Sequence, residues 1–208
     1  ELKVLIKKVR RQPLCEPERA EQLIVEMLDL FFEKNGGDRS KMLSEKTPLN
    51  IRYADRLLRL FPESRMIEVV RDGRDVCVSY NALAKRQPWA RIGTDGAIGL
   101  WRSCVRHGNR FRSQPEFAQR MQLVRFEEMK QDPEAGLQQM FDFAQLDYTP
   151  SQVRDIVHEH DISRIKKKGE GQYTRKGTVG DWKERLSAED VKLCEEMAGE
   201  QLSQLGYT

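Results

Sequence analysis

The chain has 208 residues and a formal net charge of +3 at pH 7, with 33% of its residues charged. This length predicts one domain over residues 1–208, and the near balance of charge excludes the strong positive field of a non-specific nucleic-acid binder, so we expect no nucleic-acid partner. The four cysteines form no C-x-x-C pair and no apolar run approaches about 18 residues, which argues against zinc, disulfides and a membrane span and favours a cytoplasmic location.

The first predicted helix follows a stretch whose structure stays open. Residues 1–11 mix apolar and basic side chains without a clear period. From Glu18 the apolar side chains recur at helical spacing, and Asn-Gly-Gly at residues 35–37 supplies a C-terminal stop. We therefore predict a helix with one face toward the core.

A lysine stands at the end of the next predicted element. Residues 41–45 are predicted as a short strand that ends at Lys46, and Pro48 opens a helix over residues 49–61 because proline ends strand pairing and suits a first helical turn. A cation at a strand end beside a phosphate loop could meet the charge that accumulates on a leaving phosphate. Lys46 is therefore a candidate catalytic residue, and a solvated surface lysine is the alternative.

The stretch over residues 66–80, MIEVVRDGRDVCVSY, organises the rest of the prediction. A β-branched run ends in a turn at Asp72-Gly73, and Asp75 is predicted to cap the helix that follows. Because Ser79 lies about one turn into that helix, Arg71 and Ser79 could meet one ligand. Ligands bind beyond the carboxyl ends of the strands in open α/β sheets, and a helix N-terminus favours an anion. The stretch favours a phosphate site, and a plain strand-turn-helix with solvated arginines is the alternative.

The second half of the chain is predicted to alternate loops, helices and one strand. Residues 87–99, with three glycines and a proline, are predicted as a loop bordering an acceptor site. A helix is predicted over residues 100–111, and the alternating run over residues 121–126 predicts a strand. Further helices are expected over residues 134–143, 151–160 and 187–205.

A second string with unusual chemistry, RKGTVGDWK, spans residues 175–183. Its two glycines let backbone approach a ligand closely, and its first two residues are adjacent cations that suit a phosphate. The preceding KKKGEG at residues 166–171 has no apolar anchor. We therefore expect a flexible lid that closes when the following string meets its ligand.

These two strings resemble, in their order, the motifs of the sulfotransferases that use 3′-phosphoadenosine-5′-phosphosulfate (PAPS). The string at residues 175–183 is similar to one that closes over the nucleotide, and RDGRDV followed by Ser79 is similar to the 3′-phosphate motif. The resemblance covers residues 46–182. It implies an α/β fold with a P-loop-NTPase-like parallel sheet flanked by helices. It also implies transfer of a sulfuryl group from PAPS to a hydroxyl or amine, releasing 3′,5′-bisphosphoadenosine (PAP), with no metal required.

The same resemblance assigns roles to individual residues. Lys46, in Glu-Lys-Thr-Pro, matches the strand-end lysine of tyrosylprotein and bacterial members, which contacts the transferred group. Phe126 stands where many members carry a tyrosine that packs by the adenine, although a plain core role is at least as plausible. The residues expected to bind the nucleotide are Arg71, Ser79, Phe126, Arg175, Lys176, Gly177 and Trp182.

Two departures from the family concern the catalytic base and the 5′ end of the nucleotide. Pro48 stands where many cytosolic members carry a catalytic histidine. Glu1 begins a segment similar in pattern to one with a catalytic glutamate, so it is a candidate base, with a plain terminal glutamate as the alternative. The family's first strand and phosphosulfate loop have no counterpart here, and we expect them to be missing from this sequence.

Other functions stay open on the sequence. A protein of this fold could hold the bisphosphate nucleotide without turnover, which the missing loop and histidine favour. A P-loop kinase-like NTP enzyme is the other alternative, although the 3′-phosphate motifs would have no role there. The acceptor stays open between a small molecule, a carbohydrate, an acyl chain and a peptide, because acceptor pockets lie in variable loops.

Overall fold

The computed structural model describes residues 17–34, 36–37, 42–161 and 177–207. The strands are β1 (Met66–Val70) and β2 (Met121–Arg125). The α-helices are α1 (Pro17–Lys34), α2 (Ala54–Leu60), α3 (Gly73–Leu83), α4 (Gly93–Arg112), α5 (Pro115–Ala118), α6 (Phe126–Gln131), α7 (Pro133–Ala144), α8 (Pro150–Glu159), α9 (Trp182–Arg185) and α10 (Ala188–Gln204). Short 3₁₀ helices occupy Pro48–Tyr53 and Pro88–Ala90. Within these residues, no helix has the length and apolar character to cross a bilayer.

Parallel pairing of β1 with β2 sets the position of everything that follows the strands. Met66 lies opposite Met121 and Val70 lies opposite Arg125. Because the strands run the same way, their carboxyl ends meet at one edge of the sheet. The predicted α/β class with a parallel sheet is confirmed, and the residues after β1 become neighbours of the residues after β2.

Helix α4 joins two hydrophobic clusters behind this sheet. Its long apolar face reaches from the carboxyl end of β1 to the amino end of β2, so one helix fixes both ends of the strand pair. The cluster at the carboxyl end contains Val70, Cys77, Ile98, Trp101, Cys194 and Leu202. The cluster at the other end contains Ile51, Leu58, Phe111, Phe117 and Met121.

The prediction of a strand over residues 41–45 is wrong for residues 42–45, the part of it that the structure describes. Residues 42–47 have no regular secondary structure, and Met42 and Leu43 are exposed. A strand requires a hydrogen-bonded neighbour, and in the described part of the chain β1 and β2 pair with each other. The predicted helix over residues 49–61 does form, although its first half is 3₁₀ rather than α.

The segment over residues 87–99, predicted as a loop, is partly helical. The 3₁₀ helix Pro88–Ala90 occupies its first part, and α4 begins within it at Gly93. The prediction gave the glycines too much weight. Ala97 and Ile98 are fully buried in the core, and their burial stabilises a helix that glycine alone would weaken.

The cap of α3 is Asp72 and not Asp75. The Asp72 side chain accepts the backbone N–H of Arg74 at 2.9 Å, and the helix begins at Gly73. Both aspartates satisfy the local preference for an N-cap, so the sequence alone does not separate them. Asp75 instead lies inside the first turn and is completely buried.

A buried ion pair links β1 to the last turn of α4. Arg112 Nη1 donates to Glu68 Oε2, and the two side chains are 18% and 8% exposed. Burial lowers the pKa of Arg112 from its ordinary value. A pair this far from water leaves an uncompensated charge when one partner is removed.

We expect Glu68→Ala to lower the free energy of unfolding by about 3 kcal/mol, because Arg112 would stay buried without a counter-charge. The matched control is Glu116→Ala, which removes the exposed partner of Arg59 and should lower the stability much less, because water screens that pair. Urea denaturation of both variants measures the difference. Equal and small effects at the two sites would contradict the structural role of the Glu68 pair.

Candidate functional site

The candidate site forms at the edge of the sheet where β1 and β2 end. Arg71 follows β1, and its guanidinium lies over the ring of Phe126, which follows β2, with 4.8 Å from Cζ to the ring centre. The backbone N–H of Asp72 donates to Glu127 Oε1 at 3.0 Å. From behind, Trp101 Nε1 donates to the Arg71 carbonyl at 2.9 Å. The loop after β1 is therefore held from two sides.

The buried carboxylate of Asp75 joins the two sequence strings. Its Oδ2 accepts the N–H of Gly180 and its Oδ1 accepts the N–H of Trp182, both at 2.9 Å. The same carboxylate pairs with Arg71 Nη2 at 3.1 Å, and that nitrogen also donates to the Thr178 carbonyl. The segment over residues 177–182 is thus attached to the start of α3.

Arg74 is buried between Asp72 and Trp182. Its Nη2 and Nε donate to the two carboxylate oxygens of Asp72 at 2.8 and 3.1 Å. Its guanidinium lies 3.8 Å from the centre of the Trp182 ring, a close cation–π contact. The Arg74 side chain therefore covers one face of the Trp182 ring.

The penultimate residue of the chain completes this edge. The Tyr207 hydroxyl donates to Glu127 Oε2 at 2.8 Å, and the Tyr207 carbonyl accepts from Arg74 Nη2 at 3.3 Å. The guanidinium of Arg125 lies over the Tyr207 ring at 4.7 Å. Burial, and then the hydrogen bond to Glu127, raise the pKa of the Tyr207 phenol above its ordinary value.

One donor at the centre of the site has no protein partner. Arg71 Nε is buried and makes no hydrogen bond to any residue that the structure describes. An unpaired buried donor typically costs about 1–3 kcal/mol, so a ligand oxygen that accepted this N–H would be favoured. The chemistry of this donor fits a phosphate, because charged guanidinium groups make strong hydrogen bonds to anionic oxygens.

The predicted site residues fall into three groups. Arg71, Phe126 and Trp182 lie at this edge, as shown above. Ser79 lies one turn into α3, where its hydroxyl donates to the Asp75 carbonyl at 3.1 Å, and Gly177 adopts a φ of +58° that favours glycine.

Of the remaining predicted residues, Lys46 lies apart from the described site, and three lie outside the residues that the structure describes. Lys46 is exposed on the irregular segment 42–47 and, within the described residues, makes no hydrogen bond or ion pair with the site's side chains. Glu1, Arg175 and Lys176 lie outside the residues that the structure describes, as does the lid predicted at residues 166–171.

Sequence reasoning missed the side chains that connect the site. Asp75 was interpreted as a cap, while Arg74, Glu127 and Tyr207 were assigned no role. A charged residue directly after a predicted strand indicates a candidate site residue, and this rule identifies Glu127 after the strand predicted over residues 121–126. Tyr207 carries no such signal, because only the fold brings the end of the chain to this edge.

Other features of the described chain lie apart from this edge. A groove of about 1020 Å³ between α4 and α10 is lined by arginines of α4 and glutamates of α10, and none of the site residues named above lines it. No group of three His, Cys, Asp or Glu side chains in the described residues is placed to hold a metal ion.

Comparisons with known proteins identify the family. The profile of the Sulfotransferase family matches residues 6–150. The chain belongs to the sulfotransferase family. Sulfotransferase 1 family member D1 of Rattus norvegicus is 26% identical over 161 residues, which cover 64% of this chain and 53% of that protein. Sulfotransferase 6B1 of Danio rerio is 26% identical over 149 residues, which cover 64% of this chain and 50% of that one.

A solved sulfotransferase supports the fold. The crystal structure of mouse sulfotransferase SULT7A1 complexed with PAP matches with a TM-score of 0.58 at 19% identity, over 73% of this chain and 63% of that chain. The likeness confirms the predicted P-loop-like α/β fold of the sulfotransferases. This chain spans about half the length of the curated relatives that it matches.

We expect Tyr207→Phe to lower the free energy of unfolding at pH 8 by about 1.5 kcal/mol, because Glu127 Oε2 loses its donor. The raised pKa means that the native state holds the phenol proton more tightly than the unfolded state does. This stabilisation is fully present below the ordinary tyrosine pKa of about 10 and is lost as pH rises through the raised native value.

Urea denaturation of the wild type and Tyr207→Phe from pH 8 to pH 11 measures this effect. The advantage of the wild type should be constant up to about pH 10 and should then shrink. A difference that stays the same across the whole range would show that the Tyr207 hydroxyl is not held by Glu127.

Proposed function

We propose that this sulfotransferase chain binds PAPS at the edge formed by Arg71, Phe126 and residues 177–182, and that the protein transfers the sulfuryl group to a hydroxyl or amine. The observation that carries the proposal is the buried Nε of Arg71, at the meeting point of the two sequence strings, which makes no hydrogen bond to the residues that the structure describes. The PAP bound in the mouse structure is consistent with a bisphosphate nucleotide as the ligand.

The proposed contacts to the 3′-phosphate follow from this geometry. Arg71 offers Nε, and Ser79 offers a hydroxyl one turn into α3, where its present acceptor is only a backbone carbonyl. Gly177, together with Arg175 and Lys176 in the same string, would close over the phosphate. Two or three charge-assisted hydrogen bonds at about 1.5–3 kcal/mol each are enough to separate PAP from a nucleotide without a 3′-phosphate.

The adenine and the segment over residues 177–182 have separate requirements. Phe126 offers a partly buried ring beside Arg71, and aromatic faces suit a purine. Each of the two rings carries a guanidinium on one face, and we propose that Phe126 contacts the adenine and that Trp182 holds the segment. The roles differ in what a substitution should do, because only Phe126 would change the affinity for adenine directly.

The transfer step requires alignment, charge stabilisation and a base. We assign Lys46 to the charge that develops on the bridging oxygen as the sulfuryl group leaves, and Glu1 remains the candidate base because Pro48 replaces the usual histidine. The acceptor is a small molecule, a carbohydrate, an acyl chain or a peptide. No metal is needed for these roles.

A non-catalytic PAP-binding protein is the second candidate. The observation that favours it is the position of Lys46, which is exposed and makes no hydrogen bond or ion pair with the described side chains of the site. A binding protein would need the nucleotide edge alone. A kinase-like enzyme, the third candidate, would prefer ATP to PAP.

We expect calorimetric titration of the wild-type chain to show tighter binding of PAP than of 5′-AMP or ATP. Arg71→Ala should lower the affinity for PAP by about 10- to 150-fold, the equivalent of one lost charge-assisted hydrogen bond. Its affinity for 5′-AMP should change little. Arg59→Ala, which removes an exposed arginine of α2 that pairs with Glu116, is the matched control. Equal affinities for PAP and 5′-AMP would overturn the proposed ligand, and a preference for ATP would favour the kinase-like candidate.

We expect Lys46→Ala to lower kcat for sulfuryl transfer by about 100-fold, because a cation facing the developing charge acts mainly in the transition state. The affinity for PAP should hardly change. Release of PAP with a panel of acceptors gives kcat, and Lys192→Ala, an exposed lysine of α10, is the control. An unchanged kcat would identify Lys46 as a solvated surface residue.

A further inference from the structure

The segment over residues 177–182 is attached to the phosphate loop through one side chain. The Asp75 carboxylate accepts N–H groups from Gly180 and Trp182, and it also pairs with Arg71. Asp75 belongs to α3, more than a hundred residues before the segment. We propose that Asp75 is a positioning residue that makes the docking of this segment and the orientation of Arg71 a single event, on which selectivity for the 3′-phosphate depends.

The burial of Asp75 shows why its partners are obligatory. The side chain is completely inaccessible to water, and each carboxylate oxygen accepts a backbone N–H. A buried carboxylate without such donors would be strongly destabilising, so the segment must stay docked for the Asp75 oxygens to keep their hydrogen bonds. The positive φ of +77° at Gly180 aims this N–H at the carboxylate in a conformation that favours glycine.

The same contacts orient the guanidinium of Arg71. Its Nη2 is used twice, by Asp75 and by the Thr178 carbonyl, while its Nε has no partner among the described residues. Fixing Nη2 therefore leaves Nε as the donor for a ligand. If the segment undocked, Arg71 would lose the Thr178 carbonyl as an acceptor. Asp75 would lose the two backbone N–H groups that fix its carboxylate, and Arg71 Nε would no longer be held in one direction.

This inference rests on the proposed function but makes a separate demand on the molecule. The proposed function requires that the edge binds a 3′-phosphate. The inference requires that this selectivity depends on Asp75, which acts by orienting Arg71 and residues 177–182 and not by binding the ligand itself. A general loss of stability would lower the affinities for PAP and 5′-AMP together. Loss of the orientation of Arg71 should lower the affinity for PAP selectively.

Asp75→Asn is the first test, because asparagine has nearly the same shape but one acceptor oxygen and no charge. We expect the ratio of PAP affinity to 5′-AMP affinity, measured by calorimetry, to fall at least about tenfold, the equivalent of losing one charge-assisted hydrogen bond. Glu184→Gln, an exposed carboxylate of α9 beside the segment, is the matched control and should keep the wild-type ratio. An Asp75→Asn ratio equal to that of the wild type would overturn the proposal.

Amide hydrogen exchange on the wild-type chain provides a second test that does not depend on the variant folding. The amides of Gly180 and Trp182 should exchange at least about tenfold more slowly than that of Val179, for which the structure records no such acceptor. Asp75→Asn, where it folds, should lose this protection. Exchange of all three amides at the same rate in the wild type would contradict the attachment.

The two tests separate this inference from the proposed function. If the wild type does not distinguish PAP from 5′-AMP, the proposed function fails, and so does the role of Asp75 in selectivity. Protected amides that lose protection in Asp75→Asn would then still support the attachment of residues 177–182 by Asp75. If PAP binds selectively and Asp75→Asn keeps the selectivity, only the inference fails.

Discussion

The candidate site depends on a carboxylate that has been removed completely from water. Asp75 is stable in that position because three donors, two backbone N–H groups and a guanidinium, replace its hydration. One of these donors belongs to Arg71 and the other two belong to residues after a long excursion of the chain. The requirement to satisfy one buried charge therefore assembles parts of the molecule that have no local reason to meet.

Parallel strand pairing makes this assembly possible. The register of β1 with β2 places Val70 opposite Arg125, so the first residues after the strands meet at one edge. Glu127 uses this proximity, since one carboxylate oxygen accepts from the Asp72 backbone and the other from the Tyr207 hydroxyl. The two carboxylates, Asp75 and Glu127, thus both hold the loop after β1, one through the Arg71 side chain and the other through the Asp72 backbone.

The sequence predicted those parts of the structure that local patterns determine. The β-branched run ends where β1 ends, and the helix expected over residues 151–160 forms as α8, which begins after a capping box at Thr149. The prediction was wrong where contacts with residues distant in the chain determine the secondary structure. Residues 42–45 have strand-like composition without a described neighbour to pair with, and residues 97–98 become helical because the core buries them.

The candidate site shows the same division between local and distant causes. Arg71 could be predicted because a cation directly after a strand is visible in the sequence. The contacts of Asp75 could not be predicted, because they involve Gly180 and Trp182, which are distant in the chain, and a helix-cap pattern uses only neighbouring residues. The Trp182 ring illustrates the difference, since the sequence places a tryptophan in the nucleotide string and only the fold shows that the Arg74 guanidinium lies over its ring. A motif therefore specifies which chemistry is present, and the buried charges decide how its side chains pair with one another.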